Sequence, residues 1–446
     1  MLSDLIWKTI DKNIIGSRTE RRYQFIRNLP SGVIRFGRNQ SFLKLVRYLG
    51  ERSVFYKEQF RKHKIIPSKV RRPEDLGDFY TTPNDLKERP AKDFLCQRPQ
   101  LVFETTGTKS LKPKQVFFSY SEIEHYATEG ACGLYHLGIR PQDKVISMMD
   151  TSFWNAAWTS RESVRKLGCV YIEAGKIPPE EFYTRASNHD FNVLLAEPSW
   201  LSLLTQVAVK KGIWPLKLIL LGGENITEQT RNTLESIWKT DLFMGYGQTE
   251  SFGSAGLECS AKQGYHINEN NLWYEIDMPD EEGYGELVLT TLQRRVMPLL
   301  RYRTSDVTRL IDEPCGCGLT NVRRIAKIRG RCDEMINCGA GNITPWLFER
   351  VFHGVGEISS DWQVAVMRDG NLDMMELRME LVDGASPASV EAKIKARIQE
   401  RFPDLWRNYA WGLFAMRFRF YPRNTLRTKR KLLTVVDERY QLLNSH

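Results

Sequence analysis

From about residue 100 the sequence alternates short apolar runs with longer stretches of helical periodicity, and this alternation restricts the fold more than any other feature. Gln100–Phe103, Lys144–Met149, Val193–Leu195 and Lys217–Leu221 read as buried strands. Between them, Tyr120–Leu137 and Ser199–Lys211 repeat apolar residues at helical spacing. Strands separated by helices imply an α/β architecture with a largely parallel sheet. Such sheets bind ligands beyond the carboxyl ends of their strands, so chemistry-bearing residues belong in the strand-to-helix turns.

The pattern changes along the chain. Residues 1–72 read as a basic helical segment: in Phe42-Leu43-Lys44-Leu45-Val46-Arg47-Tyr48-Leu49, apolar residues recur at helical spacing, with Lys44 and Arg47 on the other side. Residues 73–330 carry the α/β alternation, ending in a β-like region over Glu286–Leu310. Residues 331–446 read as a smaller α+β unit. Its expected strands are Trp362–Met367, Met374–Leu381 and Trp411–Tyr421, and its expected helix is Ser386–Phe402, with Ser386 as N-cap and Pro387 at the first helical position.

Composition narrows the class. Hydrophobic residues at 41% and charged residues at 26% are globular values, which excludes wholesale disorder. No apolar run approaches the ~18 residues of a membrane span. Met1–Arg27 lacks the pattern of a secretory signal, so a cytoplasmic location is expected. Eight cysteines are too few for a disulfide scaffold, and reduced thiols are the default. The formal net charge is +10, but residues 1–72 hold 18 Lys/Arg against 5 Asp/Glu. That local +13 leaves −3 for the remaining 374 residues. The basic segment is either a solvated face or a docking surface for an anionic partner: a phosphate-bearing cofactor, an acidic carrier protein or a membrane surface. No zinc-finger, RNA-recognition or helix-turn-helix signature is present, which argues against nucleic acid.

Six motifs carry chemistry. Thr105-Thr106-Gly107-Thr108 and the lysines up to Lys114 follow an expected strand, where hydroxyls and backbone N–H groups donate to phosphate and Lys neutralises it. This is not a Walker A loop. Gly222-Gly223-Glu224 follows the strand ending at Leu221. Tyr246-Gly247-Gln248-Thr249-Glu250 sets an aromatic ring, a flat glycine turn and a carboxylate that suits Mg²⁺. Arg301-Tyr302-Arg303-Thr304-Ser305-Asp306 ends in a carboxylate placed to accept ribose hydroxyls. Arg331 and Asp333 lie in a charged turn at the domain boundary, and Lys429-Arg430-Lys431 precedes Val435-Val436-Asp437-Glu438-Arg439.

In this order the motifs resemble the adenylate-forming enzymes, and within them the phenylacetate–coenzyme A ligase branch, over about Asn39 to Arg439. The resemblance implies a large N-terminal domain with parallel-sheet subdomains and a small, mobile α+β C-terminal domain. It implies a two-step biosynthetic reaction. A small carboxylic acid attacks the α-phosphorus of ATP, giving an acyl-adenylate and pyrophosphate; a thiol, usually of coenzyme A, then displaces AMP. Such chemistry is mostly positioning and charge stabilisation. By resemblance, Thr105, Thr106, Gly107 and Thr108 cradle the ATP phosphates. Gly223, Glu224, Tyr246 and Gly247 border the adenine. Thr249 touches the α-phosphate, Glu250 ligates Mg²⁺, and Asp306 holds the ribose beside Arg331. Asp333 is the hinge of the small domain and Lys431 the catalytic lysine. A homodimer is also implied.

The sequence departs from the family pattern at three places. Lys109-Ser110-Leu111 replaces a second phosphate-loop glycine. Arg430 precedes the C-terminal lysine, where counting back from Val435 selects Lys431 and counting forward from Pro422 selects Lys429. In the acyl-pocket region, Phe153, Trp154, Trp158 and Arg161 stand where the branch has a glycine-rich run, which argues against phenylacetate itself and for a compact aromatic or polar acid. Spacing alone leaves Cys259, His266, Cys315 and Cys317 open between free thiols and zinc. The branch has members with the same residues there, which implies a structural Cys₃His zinc site. The alternatives are adenylation with transfer to a carrier protein, an amine or a hydroxyl, and a non-catalytic basic binding protein that keeps the fold.

Overall fold

The computed structural model describes residues 18–105, 113–226, 228–253, 255–332, 336–338, 341–369, 372–427 and 432–439. Thr106, Gly107, Thr108, Asp333, Lys429 and Lys431 therefore lie outside the described residues. The chain divides into two compact units. The first comprises Met1–Asn225, Thr233–Thr304 and Thr308–Lys327; the second comprises Ile226–Asn232, Ser305–Val307 and Ile328–His446. Among the described residues, no helix is long and apolar enough to cross a membrane.

The strands up to the second unit are β1 (Leu101–Glu104), β2 (Gln115–Phe118), β3 (Lys144–Ser147), β4 (Val170–Glu173), β5 (Val193–Ala196), β6 (Leu218–Leu221), β7 (Leu242–Tyr246), β8 (Gly256–Leu257), β9 (Tyr265–Ile267), β10 (Leu272–Asp277), β11 (Gly285–Thr291), β12 (Tyr302–Thr308), β13 (Leu310–Ile311) and β14 (Arg324–Ile325). A nine-stranded sheet runs in the order β13-β14-β9-β8-β7-β6-β5-β3-β4. The stretch β7-β6-β5-β3-β4 is parallel, and β8, β9, β14 and β13 extend it antiparallel. Every residue of β5 is buried, as both faces of a parallel sheet require. The helix Tyr120–His136 leads from β2 into β3, and Ala156–Leu167 and Pro198–Lys211 are the crossovers from β3 to β4 and from β5 to β6. Ser119 starts the first of these with a reciprocal cap: its hydroxyl accepts from the Glu122 amide, and Glu122 accepts from the Ser119 amide at 2.6 Å.

The helices Ser31–Arg52 and Val54–Lys62 bury Phe42, Leu45, Val46, Leu49, Phe55 and Tyr56 in a core shared with Leu292, Val296 and Leu300. Lys44 and Arg47 stay exposed, as the helical period demands. This part of the basic segment thus builds the large unit's core with one face and presents charge with the other.

In the second unit, β15 (Ile336–Cys338) pairs with β16 (Gly341–Ile343). A four-stranded sheet contains β17 (Ile358–Asp369), β18 (Leu372–Leu381), β19 (Phe414–Tyr421) and β20 (Val435–Asp437), in the order β19-β18-β17-β20. Val364, Val366, Met375 and Leu377 pack with Val390, Ile394 and Ile398 of the helix Pro387–Arg401. Ser386 occupies its N-cap without a side-chain cap bond, so Pro387 alone marks the start. The last long strand begins at Phe414 rather than Trp411. The reason is a helix over Pro403–Ala410 that ends through a turn at Gly412, whose φ is +70°.

Candidate active site

The phosphate-loop motif lies between β1 and β2, an antiparallel pair in the register Leu101↔Phe118 and Glu104↔Gln115. At the mouth of that loop the Thr105 amide donates to the Lys114 carbonyl at 3.0 Å. The Tyr246–Glu250 motif leaves β7 and enters a short turn at Thr249–Ser251. The two motifs meet: Thr249 Oγ1 lies 3.5 Å from the Glu104 carbonyl oxygen, and Lys114 Nζ lies 2.5 Å from Glu250 Oε1. Tyr302, from β12, donates to the same carboxylate oxygen at 2.7 Å and lies 2.8 Å from Lys114 Nζ.

Glu250 is only 3% exposed. Burial alone would raise its pKa, but the Lys114 charge and hydrogen bond and the Tyr302 hydrogen bond overcome this and hold it below the usual carboxylate value. Its backbone is fixed too: buried Arg294 donates from Nη1 to the Glu250 carbonyl at 2.7 Å while its guanidinium stacks 4.2 Å over Phe118. A buried, ionised carboxylate beside a phosphate-binding loop can hold a hard divalent cation. Lys114 is the residue of the first motif that the fold brings onto Glu250. It lies in the quoted stretch, but nothing in the sequence names its partner.

The glycine turns after β6 and β7 lie side by side, because these strands are parallel neighbours in the register Leu221↔Met244. A Cβ on Gly222 would stand 3.7 Å from the Gly245 carbonyl. A Cβ on Gly247 would meet the Gly253 carbonyl oxygen at 2.1 Å, so only glycine fits there. Glu224 accepts from the Ser199 amide at 3.1 Å with one carboxylate oxygen. Its other oxygen, Gln248 Nε2 and Thr105 Oγ1 are all buried without a hydrogen-bond partner among the described residues. Such orphaned polar atoms in three of the motifs expected to bind nucleotide fit a polar ligand such as ATP. Tyr246 is buried and lies 6.0 Å from the Tyr265 ring.

Asp306 and Arg331 belong to the second unit. There Arg331 Nη1 donates to Asp306 Oδ1 at 3.1 Å, and the two residues form an antiparallel bridge. Of the acyl-pocket residues, Phe153 is 69% exposed, and its carbonyl accepts from the Glu104 amide at 2.9 Å. That bond ties the loop after β3 to the β1–β2 hairpin. Trp154 is half-buried in the same loop. Trp158 packs 5.8 Å from Phe103 in the aromatic cluster with Phe118, Tyr126 and Phe252. Arg161 stacks 4.3 Å over Trp158 and pairs with Glu173 at 3.2 Å and Glu162 at 3.4 Å. Its charge is already matched by protein carboxylates.

A second cluster lies in the first unit. Cys259 Sγ is 3.5 Å from Cys315 Sγ, and Cys317 Sγ is 3.2 Å from His266 Nε2. β9 carries His266 opposite Arg324 of β14, which brings the loop with both later cysteines back to it. Burial pushes the Cys259 thiol up to about 12, with neighbouring thiols adding to it, and lowers His266 to about 4, helped by His136 and Arg324. Packed thiols and a buried imidazole, with His136 Nε2 buried and without a hydrogen-bond partner among the described residues, fit a soft-ligand metal such as zinc. His136 ends the helix Tyr120–His136 far away in sequence, so no spacing pattern reveals it.

No family model matches the sequence. The chain is 29% identical over 372 residues to a phenylacetate–coenzyme A ligase of Thermus thermophilus, covering 80% of this chain and 83% of that one. It is 28% identical over 343 residues to the enzyme of that name from Pseudomonas putida, covering 73% and 77%. Among solved structures, 2-hydroxyisobutyryl-CoA ligase in complex with 2-HIB-AMP superposes with a TM-score of 0.77 at 18% identity, covering 91% of this chain and 90% of that one. O-succinylbenzoate coenzyme A synthetase from Bacillus subtilis, in complex with ATP and magnesium ion, gives a TM-score of 0.52 at 17% identity, covering 75% and 68%.

Proposed function

We propose that this chain, which has the fold of the adenylate-forming coenzyme A ligases and is similar in sequence to phenylacetate–coenzyme A ligases, activates a small carboxylic acid with ATP and transfers the acyl group to the thiol of coenzyme A. The observation that carries this reading is the Lys114–Glu250–Tyr302 cluster at the mouth of the phosphate loop.

The first step joins the acid's carboxylate oxygen to the α-phosphorus and releases pyrophosphate. The second breaks the acyl–phosphate bond as the thiol sulfur attacks the acyl carbon, and AMP leaves. Thr105 and the loop that follows it bind phosphate oxygens, and Thr249 donates to the α-phosphate. Glu250 is the residue that would hold Mg²⁺, which when bound supplies positive charge against the departing pyrophosphate. Tyr302 orients the Glu250 carboxylate, and Lys114 supplies the larger share of what keeps it ionised. Gly223, Glu224, Tyr246 and Gly247 receive the adenine. Asp306 takes the ribose hydroxyls, with Arg331 orienting its carboxylate. Asp333 is the proposed hinge and Lys431 the proposed catalytic lysine. Phe153 and Trp154 are the better-placed acid contacts, since Arg161 has carboxylate partners of its own. The cluster containing Cys259, His266, Cys315 and Cys317 is proposed to hold one structural zinc ion per chain.

The test is carboxylate-dependent exchange of labelled pyrophosphate into ATP over a panel of aryl and alkyl acids. The expected result is exchange with a compact aromatic or polar acid, then thioester formation when coenzyme A is added. Silence across the panel would favour a non-catalytic binding protein. Exchange without thioester formation would redirect the second step to a carrier protein, amine or hydroxyl.

A further inference from the structure

Five candidate donors crowd the metal cluster, one more than a tetrahedral zinc ion takes. The four whose donor atoms lie within 4.8 Å of one another are His136, Cys259, His266 and Cys317. Cys315 adjoins this set through the 3.5 Å contact of its sulfur with Cys259 Sγ.

His136 has the arrangement of a ligating imidazole. Its Nδ1 lies 2.9 Å from the Tyr23 hydroxyl, and its Nε2 is buried with no hydrogen-bond partner among the described residues. A metal-bound histidine characteristically gives its second nitrogen to an outer hydrogen-bond partner, which fixes the tautomer and the ring. Here Tyr23 is that partner: a proton on Nδ1 donated to the phenol oxygen leaves the Nε2 lone pair for the metal. The two rings also pack, with centroids 5.6 Å apart.

Tyr23 lies on the basic helix Thr19–Asn28. The loop that supplies Cys315 and Cys317 grips that helix at its far end: Asn321 Nδ2 donates to the carbonyls of Ile26 and Leu29, each at 2.7 Å. Metal loop and basic helix are thus joined at two points, one of them through His136.

We propose that His136 is a metal ligand, completing a His136–Cys259–His266–Cys317 set with Cys315 as a neighbouring thiol whose sulfur lies 3.5 Å from the Cys259 sulfur, and that Tyr23 thereby ties the N-terminal helix to the metal. The inference rests on the zinc reading above. It assigns Tyr23 a positioning role.

The experiment uses the full chain, stripped with a chelator and reloaded with Co²⁺, read by visible absorption and by chelator competition. The wild type is expected to bind about one Co²⁺ with tetrahedral bands. His136→Ala should lose about 10- to 100-fold in affinity and shift those bands, and Tyr23→Phe should weaken binding about tenfold with the bands in place. Cys315→Ser should keep the wild-type band positions. Trypsin cleavage at Arg21, Arg22 or Arg27 should rise on metal removal and in both the His136 and Tyr23 variants. If the wild type binds no Co²⁺, the zinc reading itself fails. If it binds and His136→Ala keeps the wild-type spectrum and affinity while Cys315→Ser loses the metal, the ligand set is Cys₃His and the inference is overturned. If His136→Ala does not fold, wild-type affinity and cleavage in Tyr23→Phe would overturn it.

Discussion

Lys114 Nζ and Glu250 Oε1 lie 2.5 Å apart in a site that buries the carboxylate almost completely. The ammonium occupies the side of Glu250 that a divalent cation would also seek, and Tyr302 holds the same oxygen. The pair therefore serves two ends. It keeps a buried carboxylate charged, and it places a positive group at the mouth of the β1–β2 loop.

Lys114→Met should break that arrangement in a measurable way. A buried carboxylate losing its counter-charge costs about 3–5 kcal/mol, so denaturant unfolding should show a loss of about 3 kcal/mol, reduced in the Lys114→Met/Glu250→Gln double variant. The pH dependence has a definite sign. The folded pKa of Glu250 lies below its unfolded value of about 4.3, so the stabilising contribution is present above that pH and is lost as pH falls through the depressed value. Without Lys114 the acid-unfolding midpoint should move upward. Pyrophosphate exchange should fall at least tenfold.

The two adjoining glycine turns should respond differently to the same substitution. Gly247→Ala places a methyl 2.1 Å from the Gly253 carbonyl oxygen, which forces the backbone. It should destabilise the chain by about 1–3 kcal/mol or more and abolish exchange. Gly222→Ala places its methyl at ordinary contact distance, 3.7 Å from the Gly245 carbonyl. Its thermal midpoint should stay close to wild type, with a rise in KM for ATP as the readout. Equal losses of stability would contradict the geometry.

Lys431→Ala should slow adenylation by about 100-fold and leave thioester formation from preformed acyl-adenylate nearly unchanged, because its charge matters while pyrophosphate leaves. Lys429→Ala is the control. A full effect at Lys429 would transfer the role, and equal loss in both half-reactions would contradict it.

Charge reversal of exposed Lys62, Lys64 and Arg71 to Glu tests the basic surface. The neighbouring helices bury their apolar faces, so the surface changes should shift stability by no more than about 0.5 kcal/mol each. If this face receives the acyl acceptor, pyrophosphate exchange should hold while thioester formation slows, more steeply at low salt. Loss of neither step would mark it as a solvated face.

Much of this protein is legible in its sequence because the signals are local. The alternation after residue 100 specifies the parallel sheet, since strand and helix periods are properties of short windows. Thr249 and Glu250 are identifiable because a glycine turn must precede them on one short segment. The register Leu221↔Met244, which sets the Gly223 and Tyr246 turns side by side, follows from the α/β pattern only in outline.

What the sequence determined by itself was the fold class, the order of the motifs and the residue types able to handle phosphate, a divalent cation and zinc. Tertiary structure alone decided which of them meet. Lys114 and Glu250 are 136 positions apart, and only the packing of the β1–β2 hairpin against the turn after β7 pairs them. Arg161 looks available for a substrate until the fold supplies Glu173, and His136 looks like a helix-end residue until β9 brings His266 within reach. The physical reason is common to all three. Local propensity acts over a few residues, whereas a buried charge or donor takes its meaning from whatever the folded chain places within about 3–5 Å of it.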